Sequence, residues 1–286
     1  MVLASSGPPW HFALMTDPAT NDLPLAAEFP AATREQWLKL VDGVLKGAPF
    51  DKKLTSRTYD GLRIEPLYAR DAGATPIAAR APGAPWQVMQ RVDHPDPAAA
   101  NAEALHDLQN GATGLALVFA GSAGAYGYGL DPSAATLDRV LDGIYLDADV
   151  AIDLHLSQAA REVPNRLAAL AKQRGVAPET TNIRFGLNPV GGLAGSGHLP
   201  RPWSELAPYF AGLVGGLADQ GFNGPFAVAD GRIVHNAGGS EAQELAFALA
   251  SAVTYLRALE ASGIKLDAAR RMIYFRLSLP PKRRGA

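Results

Sequence analysis

Short apolar runs alternate with longer amphipathic stretches along most of this chain. From residue 85 onward, six apolar runs have the length and residue content of β-strands. The predicted strands are Trp86–Val92, Gly114–Ala120, Val150–His155, Ile183–Leu187, Pro225–Ala229 and Met272–Leu277. The stretches between them predict helices over Pro97–Gln109, Ala134–Leu141, Arg161–Arg174, Trp203–Gln220 and Glu241–Ser262.

Strands that alternate with helices in this way are typical of parallel βα units. The run GLALVFA contains no polar side chain and suits a strand that is covered on both faces. Such units form either a doubly wound sheet or a (β/α)8 barrel. A complete barrel takes roughly 250 residues and eight strands, whereas residues 85–286 supply six strands and end in LPPKRRGA, which predicts no further strand. We expect an α/β fold whose set of strands is incomplete.

The preceding residues have a different character. Residues 1–32 are rich in Pro, Asp and Asn and show no sustained period, which predicts an extended arm. Thr33 and Gln36 predict a capping box at the start of a helix. Asp60-Gly61 predicts a turn between two strand-like pieces. The expected domains are an arm over 1–32, a helix and β-turn lead-in over 33–84, and an α/β domain over 85–286.

Composition excludes several classes of function. The chain is 48% hydrophobic and 19% charged with a net charge of −2, so nothing in it favours binding to nucleic acid or to an anionic membrane. It contains no cysteine, which excludes disulfides, thiolate zinc sites, iron–sulfur clusters and a cysteine nucleophile. No apolar run approaches the roughly 20 residues of a membrane span, and the N-terminus lacks the pattern of a signal peptide. We expect a soluble, cytoplasmic protein.

Two segments carry polar patterns that could bind a ligand. The Gly-rich loop GSAGAYGYG, residues 121–129, follows a strand as a phosphate-binding loop does, although it matches neither G-x-G-x-x-G nor a P-loop; a βα loop of small residues is the alternative. Asp153 and His155 are similar to the start of a cobalamin-binding D-x-H-x-x-G motif, but Gln158 replaces its glycine. Alternation along a strand places Asp153 and His155 on one face, which allows a polar pair at a barrel mouth, although the pattern favours a satisfied, partly buried histidine.

The remaining histidines give little support for a metal site. His94, His106 and His198 lack ligand spacing such as H-E-x-x-H, and no G-x-S-x-G elbow occurs, so no metal is expected. His235 and Asn236 differ, because we expect them at the carboxyl end of a strand, before a close turn and a capped helix. Function usually resides at that end of barrel strands. His235 is therefore a catalytic candidate.

Three motifs together resemble the methylmalonyl-CoA mutase family. They are LTSRTYDGLRIEPLY (residues 54–68), the pair Pro85-Trp86, and NAGGSEAQELAFALASAVTYLRA (residues 236–258), in the family's order and spacing. The likeness extends from about Thr33 to Ser278. It implies a TIM-type (β/α)8 barrel threaded by acyl-CoA, and a separate C-terminal domain that holds adenosylcobalamin for the radical interconversion of methylmalonyl-CoA and succinyl-CoA. Because the sequence ends soon after IYFRLS, we expect the barrel to be truncated before its last strands, the cobalamin-binding domain to be absent, and no cofactor to be bound by this chain alone.

The family's catalytic positions carry different residues here. Catalytic members read R-P-W-T-I-R-Q-Y along the first strand, where this chain has Ala84 and Met89 in place of the arginines and Arg91 in place of the tyrosine. Where they read G-Y-H-M-Q-E-A-G-A, Ile233 occupies the catalytic histidine position, and His235, two residues on, is expected to face the same side by strand alternation. No catalytic residue is therefore expected, with His235 and Arg91 as remaining candidates. Candidates for substrate binding at the barrel mouth are Gln87, Gln90, His155, Asn188 and Asn236.

Within the family, the pattern D-G-R-x-x-H-x-A-G followed by S-E-A-Q-E-L-A resembles the small (beta) subunit of heterodimeric bacterial mutases. This implies a non-catalytic barrel subunit that supports a catalytic large subunit. The alternative is an active adenosylcobalamin-dependent acyl-CoA isomerase barrel that needs a separate cobalamin-domain protein, so the catalytic role stays open. The expected partners are a large subunit or a second copy of the chain, with acyl-CoA as a candidate ligand.

Overall fold

The computed structural model describes residues 29–30, 32–69, 71, 73–75, 83–198 and 201–278. The chain divides after Asp71 into two compact units. The predicted arm over 1–32 falls almost entirely outside the described residues. No helix within the described ranges is long and apolar enough to cross a membrane.

The first unit contains two helices and a small hairpin, α1 (Arg34–Leu45), α2 (Phe50–Leu54), β1 (Ser56–Arg57) and β2 (Arg63–Ile64). The predicted capping box is confirmed, since the Thr33 hydroxyl accepts from the Gln36 amide at 3.2 Å and the Gln36 side chain accepts from the Thr33 amide at 2.9 Å. The predicted turn at Asp60-Gly61 is confirmed too, because β1 and β2 pair antiparallel on either side of it.

The second unit is built from strands and helices in alternation. Its strands are β3 (Met89–Val92), β4 (Gly114–Val118), β5 (Ala151–His155), β6 (Asn182–Arg184), β7 (Ala227–Asp230) and β8 (Ile273–Arg276). Its helices are α3 (Pro97–Gln109), α4 (Ala134–Val140), α5 (Val163–Gln173), α6 (Pro189–Ser196), α7 (Trp203–Asp219), α8 (Arg232–Asn236), α9 (Glu241–Ala261) and α10 (Leu266–Ala269), with a 3-10 turn at Pro178–Thr180.

The strands follow one another in space in the order of the sequence. β3 to β6 form one parallel sheet, β7 and β8 pair in parallel, and an isolated parallel bridge between Leu187 and Ala227 connects the two groups. A doubly wound sheet instead reverses its strand order at a switch point. The predicted α/β architecture with parallel strands is confirmed, whereas closure into a barrel stays a prediction.

Alternation along the strands separates a packed face from a polar one. Leu115, Leu117, Ile152 and Leu154 are buried in a core that also contains apolar residues of the helices. The opposite face carries a row set by the strand register, in which Arg91, Ala116, Asp153 and Arg184 are neighbours on successive strands. The polar face is where the candidate site lies.

The five predicted helices and six predicted strands of this unit all occur, with ends that differ by a few residues. Three helices among the described residues of this unit were not predicted, α6, α8 and the four-residue α10. The helix α6 follows Asn188-Pro189, an N-cap and a proline at the first helical position, which is a recognisable start signal. The helix α8 covers residues for which a strand end was expected, and it changes the position of His235.

Candidate functional site

Four buried or half-buried polar side chains meet near the carboxyl ends of β5, β7 and β8. They are Asp153 on β5, Asp230 at the end of β7, and Tyr274 and Arg276 on β8. Because side chains alternate along a strand, Tyr274 and Arg276 share a face, and the apolar residues between and beside them face the other way. The carboxyl ends of parallel strands thus bring together two carboxylates, a guanidinium and a phenol.

Arg276 links the two carboxylates. Its Nη2 donates to Asp153 Oδ1 at 2.7 Å, and its Nη1 donates to Asp230 Oδ2 at 3.2 Å. The Tyr274 hydroxyl donates to the same oxygen of Asp153 at 2.7 Å and accepts from Arg276 Nη2 at 3.0 Å. Each buried charge therefore has an opposite charge and a hydrogen-bond partner, as buried ions require.

Asp230 is held by a second guanidinium as well. Nε and Nη2 of Arg232 donate to its two carboxylate oxygens at 2.9 Å and 2.7 Å, and the Arg232 amide donates to Oδ1 at 3.1 Å. This two-pronged contact is among the stronger polar interactions in proteins. It places Arg232, the first residue of α8, directly after the end of β7.

The charges shift the ionisation of their neighbours. Burial alone would raise the pKa of Asp153, but its hydrogen bond with His155 and the positive charge of Arg276 outweigh burial and hold that pKa well below its usual range. The hydrogen bond and charge of Arg232 likewise outweigh burial and lower the pKa of Asp230. Burial raises the pKa of Tyr274 well above its usual value, and the carboxylate of Asp153 adds to this rise. Near neutral pH the network holds two carboxylates, two guanidiniums and a neutral phenol.

His155 completes the network at its edge. Its Nε2 lies 3.4 Å from Asp153 Oδ2, and its side chain is 11% exposed. This confirms that Asp153 and His155 share a face. Burial lowers the pKa of His155 more than the nearby Asp153 carboxylate raises it, so the imidazole is neutral at pH 7.

This lowered pKa predicts a pH dependence of stability. In the unfolded chain the histidine titrates near 6.5. Between that value and the lower folded pKa, the unfolded state binds more protons, so the free energy of unfolding falls as the pH is lowered from about 6.5. We expect His155→Gln to reduce this slope in urea denaturation series between about pH 5 and 7.5.

Glutamine keeps a side-chain donor that can face Asp153, so the loss of slope reports on protonation of the imidazole. His106→Gln, which changes an exposed histidine on α3, is the matched control. If His155→Gln retains the whole slope of the unaltered chain, His155 does not carry this dependence.

The structure gives the two catalytic candidates structural contacts. Arg91 forms an ion pair with Asp93 at 2.6 Å and donates from Nη2 to the carbonyl oxygen of Gly124 at 2.8 Å, so it fixes the Gly-rich loop. His235 Nδ1 lies 3.3 Å from Oε2 of the buried Glu244 on α9. The other Glu244 oxygen accepts from the Ser278 amide at 2.6 Å.

The expectation that His235 lies at a strand end is wrong. β7 ends at Asp230, and Arg232–Asn236 forms the helix α8. Strand alternation therefore does not relate His235 to Ile233. The physical reason is the fork between Arg232 and Asp230, which turns the chain immediately after the strand.

The candidates for substrate binding are dispersed. Gln87 accepts from Arg184, and Gln90 lines an open cleft of about 490 Å³ beside α3. Asn188 caps α6, where its Oδ1 accepts from the Gly191 amide at 3.0 Å and from the Tyr255 hydroxyl at 2.8 Å. Asn236 is exposed at the end of α8. Of these candidates, His155 alone touches the network of Asp153 and Arg276.

The Gly-rich loop uses several of its amides internally. The amides of Ser122, Ala125 and Tyr128 donate to carbonyl groups within or just before the loop, and the Gly129 amide donates to Asp93 at 2.8 Å. A phosphate cradle needs free amides that converge on one point. The contacts agree with the alternative, a closed βα loop.

Sequence reasoning did not identify Asp230, Arg232, Tyr274 and Arg276. A signal was present in IYFRLS, where tyrosine and arginine alternate with apolar residues and therefore share one face. The partners of these residues come from distant strands and are not visible in a local pattern.

The surroundings of His155 do not fit the cobalt of adenosylcobalamin. Its Nε2 lies 3.4 Å from Asp153 Oδ2, and its Nδ1 has no hydrogen-bond partner among the described residues but is fully enclosed by protein, so neither ring nitrogen is accessible to a bulky corrin cofactor. Within the described ranges, no group of three or more His, Cys, Asp or Glu side chains could hold a metal ion. The polar face therefore supplies hydrogen bonds and charge, and no cobalt ligand.

Comparison with known proteins extends over most of the chain. The family model described as methylmalonyl-CoA mutase matches residues 65–280. A protein named methylmalonyl-CoA mutase small subunit from Streptomyces virginiae is 35% identical over 286 residues, which cover 92% of this chain and 44% of that protein. The small subunit from Propionibacterium freudenreichii subsp. shermanii is 29% identical over 296 residues, with the same shares of the two chains. This chain thus spans less than half the length of these curated relatives.

Proposed function

Since this chain belongs to the methylmalonyl-CoA mutase family, we propose that it is a non-catalytic subunit that supports a catalytic large subunit. The large subunit would interconvert methylmalonyl-CoA and succinyl-CoA with adenosylcobalamin, and the two chains would form a heterodimer. The relatives named small subunit support this proposal, because a small subunit belongs to an assembly with a larger one.

One observation carries the non-catalytic role: the charges of Asp153, Asp230, Arg232 and Arg276 neutralise one another. Arg276 is committed to Asp153 and Asp230, and Arg232 to Asp230. An acyl-CoA substrate brings carboxylate and phosphate groups, which arginines recognise best when their donors are free. Breaking these buried pairs to bind a substrate would expose uncompensated charges at a high cost in free energy.

The substituted family positions support the same role. Met89 stands where catalytic members have an arginine, and its sulfur lies 3.7 Å from Arg184 Nη1. Ile233 stands in place of the catalytic histidine on the short helix α8. A thioether is at best a weak acceptor, and an isoleucine side chain has no hydrogen-bonding group, so neither can replace an arginine or a histidine in proton transfer or anion binding.

We also propose that residues 85–286 form an incomplete TIM-type (β/α)8 barrel, with residues 1–32 as an arm and residues 33–84 as a lead-in. The sequential order of parallel strands from β3 to β8 supports the barrel, because a barrel adds each strand beside the preceding one. The polar face would then line the interior of the barrel.

The proposal is tested by co-expressing this chain with a catalytic mutase large subunit and purifying on a tag carried only by this chain. We expect a stable one-to-one complex whose mutase activity is unchanged by His235→Gln in this chain. A soluble, monodisperse chain that captures no large subunit would contradict the partner role.

The alternative, an active isomerase barrel, predicts a different result. This chain would then turn over methylmalonyl-CoA when mixed with adenosylcobalamin and a cobalamin-domain protein, without a large subunit. Turnover in that mixture, abolished by His235→Gln, would replace the present proposal. Size-exclusion chromatography of the variant is the control for its fold.

A further inference from the structure

One half-buried guanidinium on the polar face, that of Arg184, has no carboxylate beside it. Arg184 lies on β6, next to Asp153 in the strand register. Within the described ranges its polar contacts go to neutral groups, the side-chain oxygen of Gln87 and the sulfur of Met89, which lies 3.7 Å from Nη1. An arginine side chain stays protonated in proteins. The site therefore carries a positive charge that no described side chain balances.

The strand that carries Arg184 has neighbours on both sides. β6 pairs with β5 along one side. On the other side, the amides of Phe185 and Leu187 each donate at 3.0 Å to the carbonyl oxygens of Pro225 and Phe226, directly before β7. The unbalanced charge is therefore not at an open edge of the sheet.

Small side chains leave room for the guanidinium across the polar face. Gly114 on β4 and Ala151 on β5 are neighbours in the strand register. A Cβ built on Gly114 would overlap the sulfur of Met89, so the thioether lies directly against this glycine. Arg184 reaches the same sulfur from β6. Its charged end is thus positioned over the sheet by a weak acceptor and by one amide oxygen, which leaves other N–H groups of the guanidinium available to a ligand.

The charges around Arg184 balance without it. The network of Asp153 and Arg276 contains two carboxylates and two guanidiniums that pair with one another, together with a neutral phenol and a neutral imidazole. Arg91, in the same register row, is paired with Asp93. Within the described ranges, Arg184 therefore adds a single positive charge to a face that is otherwise neutral.

The charge of Arg184 also acts on the network. Burial raises the pKa of Tyr274, and the positive charges of Arg276 and Arg184 oppose this rise. Since the interaction between charges weakens with distance, the guanidinium of Arg184 lies close to the phenol. An anion bound at Arg184 would therefore lie near the carboxylate of Asp153, which limits how much negative charge the site can accept.

We infer that Arg184 binds the carboxylate of a small organic acid, with the side chain of Gln87 beside it. A carboxylate has one negative charge, which balances the excess on this face, and its two oxygens match the planar fork of a guanidinium. A phosphate group carries more than one negative charge at pH 7, and the surplus would be repelled by Asp153. The inference goes beyond the proposed function, because it assigns a ligand that the chain binds without converting it.

The test titrates the full chain with acetate and with acetamide at constant ionic strength and measures binding by isothermal titration calorimetry. The two probes have the same shape, but acetamide has no charge. We expect acetate to bind about tenfold or more tightly than acetamide, because a hydrogen bond between two charged groups is stronger than one to a neutral amide. Inorganic phosphate is expected to bind more weakly than acetate.

Arg184→Gln should weaken acetate binding by about tenfold or more, because an amide replaces the charged fork. Arg184→Lys keeps the charge but not the fork, so we expect an intermediate affinity. Arg139→Gln is the matched control: it removes one guanidinium from the exposed surface of α4, where Arg139 pairs with Asp142. Circular dichroism of the variants checks that they fold.

Equal binding of acetate and acetamide to the unaltered chain would overturn the inference, and this comparison needs no variant. Tighter binding of phosphate than of acetate would overturn it as well, and so would equal effects of Arg184→Gln and Arg139→Gln. Displacement of acetate by a lower concentration of methylmalonyl-CoA would assign the site to the carboxylate of an acyl-CoA and remove the free acid as its ligand.

The outcome is separable from that of the proposed function. The titration contains neither a large subunit nor adenosylcobalamin and measures no turnover. Acetate binding can therefore be found or excluded whether or not a large subunit co-purifies with this chain.

Discussion

Asp153→Ala is expected to lower the free energy of unfolding by about 3–5 kcal/mol. The substitution removes the oxygen that accepts from both Arg276 Nη2 and the Tyr274 hydroxyl, each at 2.7 Å. Arg276 would stay buried with Asp230 as its remaining carboxylate, which it shares with Arg232. A buried charge that loses a partner costs far more than an exposed one, because water cannot replace the lost contact. Urea denaturation near pH 7 measures the change.

Asp142→Ala is the matched control for this prediction. Asp142 pairs with Arg139 at 3.0 Å, but both side chains are exposed, so its loss is expected to cost less than about 1 kcal/mol. Equal losses for the two variants would mean that water reaches the network around Asp153 as freely as it reaches the surface. The polar face would then be open enough to admit a ligand, which would contradict the proposed non-catalytic role.

The network contains the residue types that an active site would use to bind a substrate, but here they pair with one another. An interior that binds substrate needs donors held in place by their surroundings and free toward the ligand. Here Arg232 donates to Asp230 and Arg276 donates to Asp153, so these arginines stabilise the fold and their donors are not free for a substrate. Arg276 connects β8 to β5 through Asp153 and to β7 through Asp230, whereas the pair of Arg232 and Asp230 holds the start of α8 at the end of β7.

The starts of α3 and α9 were predictable because their signals are local. Asp96 accepts from the Ala98 amide at 2.9 Å and Pro97 begins α3, so the start of that helix follows from adjacent residues. Ser240 and Gln243 form the capping box that begins α9. The residues that form a helix cap are adjacent in the sequence as well as in the structure. The predicted starts of these two helices therefore agree with the observed ones.

The helix α8 was not predictable in the same way. Its residues Ile233 and Val234 favour a strand by their side chains, and a strand end was expected there. The two hydrogen bonds from the Arg232 guanidinium to Asp230 oppose this preference, because they hold Arg232 close to Asp230 and the strand does not continue past Gly231. Asp230 is also held by Arg276, a residue 46 positions away, and this contact is not visible in the local sequence.

The candidate site also depends on contacts between residues that are distant in the sequence. Alternation identifies Asp153 and His155 as residues of one face, and the structure confirms it. It does not indicate that the partners of Asp153 are Tyr274 and Arg276, which are 121 and 123 positions away in the sequence. The local pattern determines which face of β5 carries Asp153. Only the packing of β5 near β8 determines that its partners are Tyr274 and Arg276.

Gly186→Ala is expected to destabilise the chain by about 3 kcal/mol or more. Gly186 has a φ of 65°, in the left-handed region that favours glycine. A Cβ there would overlap the carbonyl oxygen of Leu154 and lie 3.0 Å from its carbonyl carbon. Both atoms belong to the backbone of β5, which is held between β4 and β6, so neither can move aside without shifting a strand.

Gly175→Ala separates the cost of the left-handed backbone conformation from the cost of the overlap with Leu154. Gly175 has a similar φ of 70° but nothing within 4 Å of a built Cβ, so it reports the conformational cost alone, about 1–2 kcal/mol. Urea denaturation of both variants measures the difference, which we assign to the contact with Leu154. Because Leu154 lies between Asp153 and His155, a shift of β5 in Gly186→Ala should also alter the pH dependence that His155 confers, whereas Gly175→Ala should leave it intact. Equal stability losses with an unchanged pH slope would mean that β5 and β6 can separate without disturbing the network.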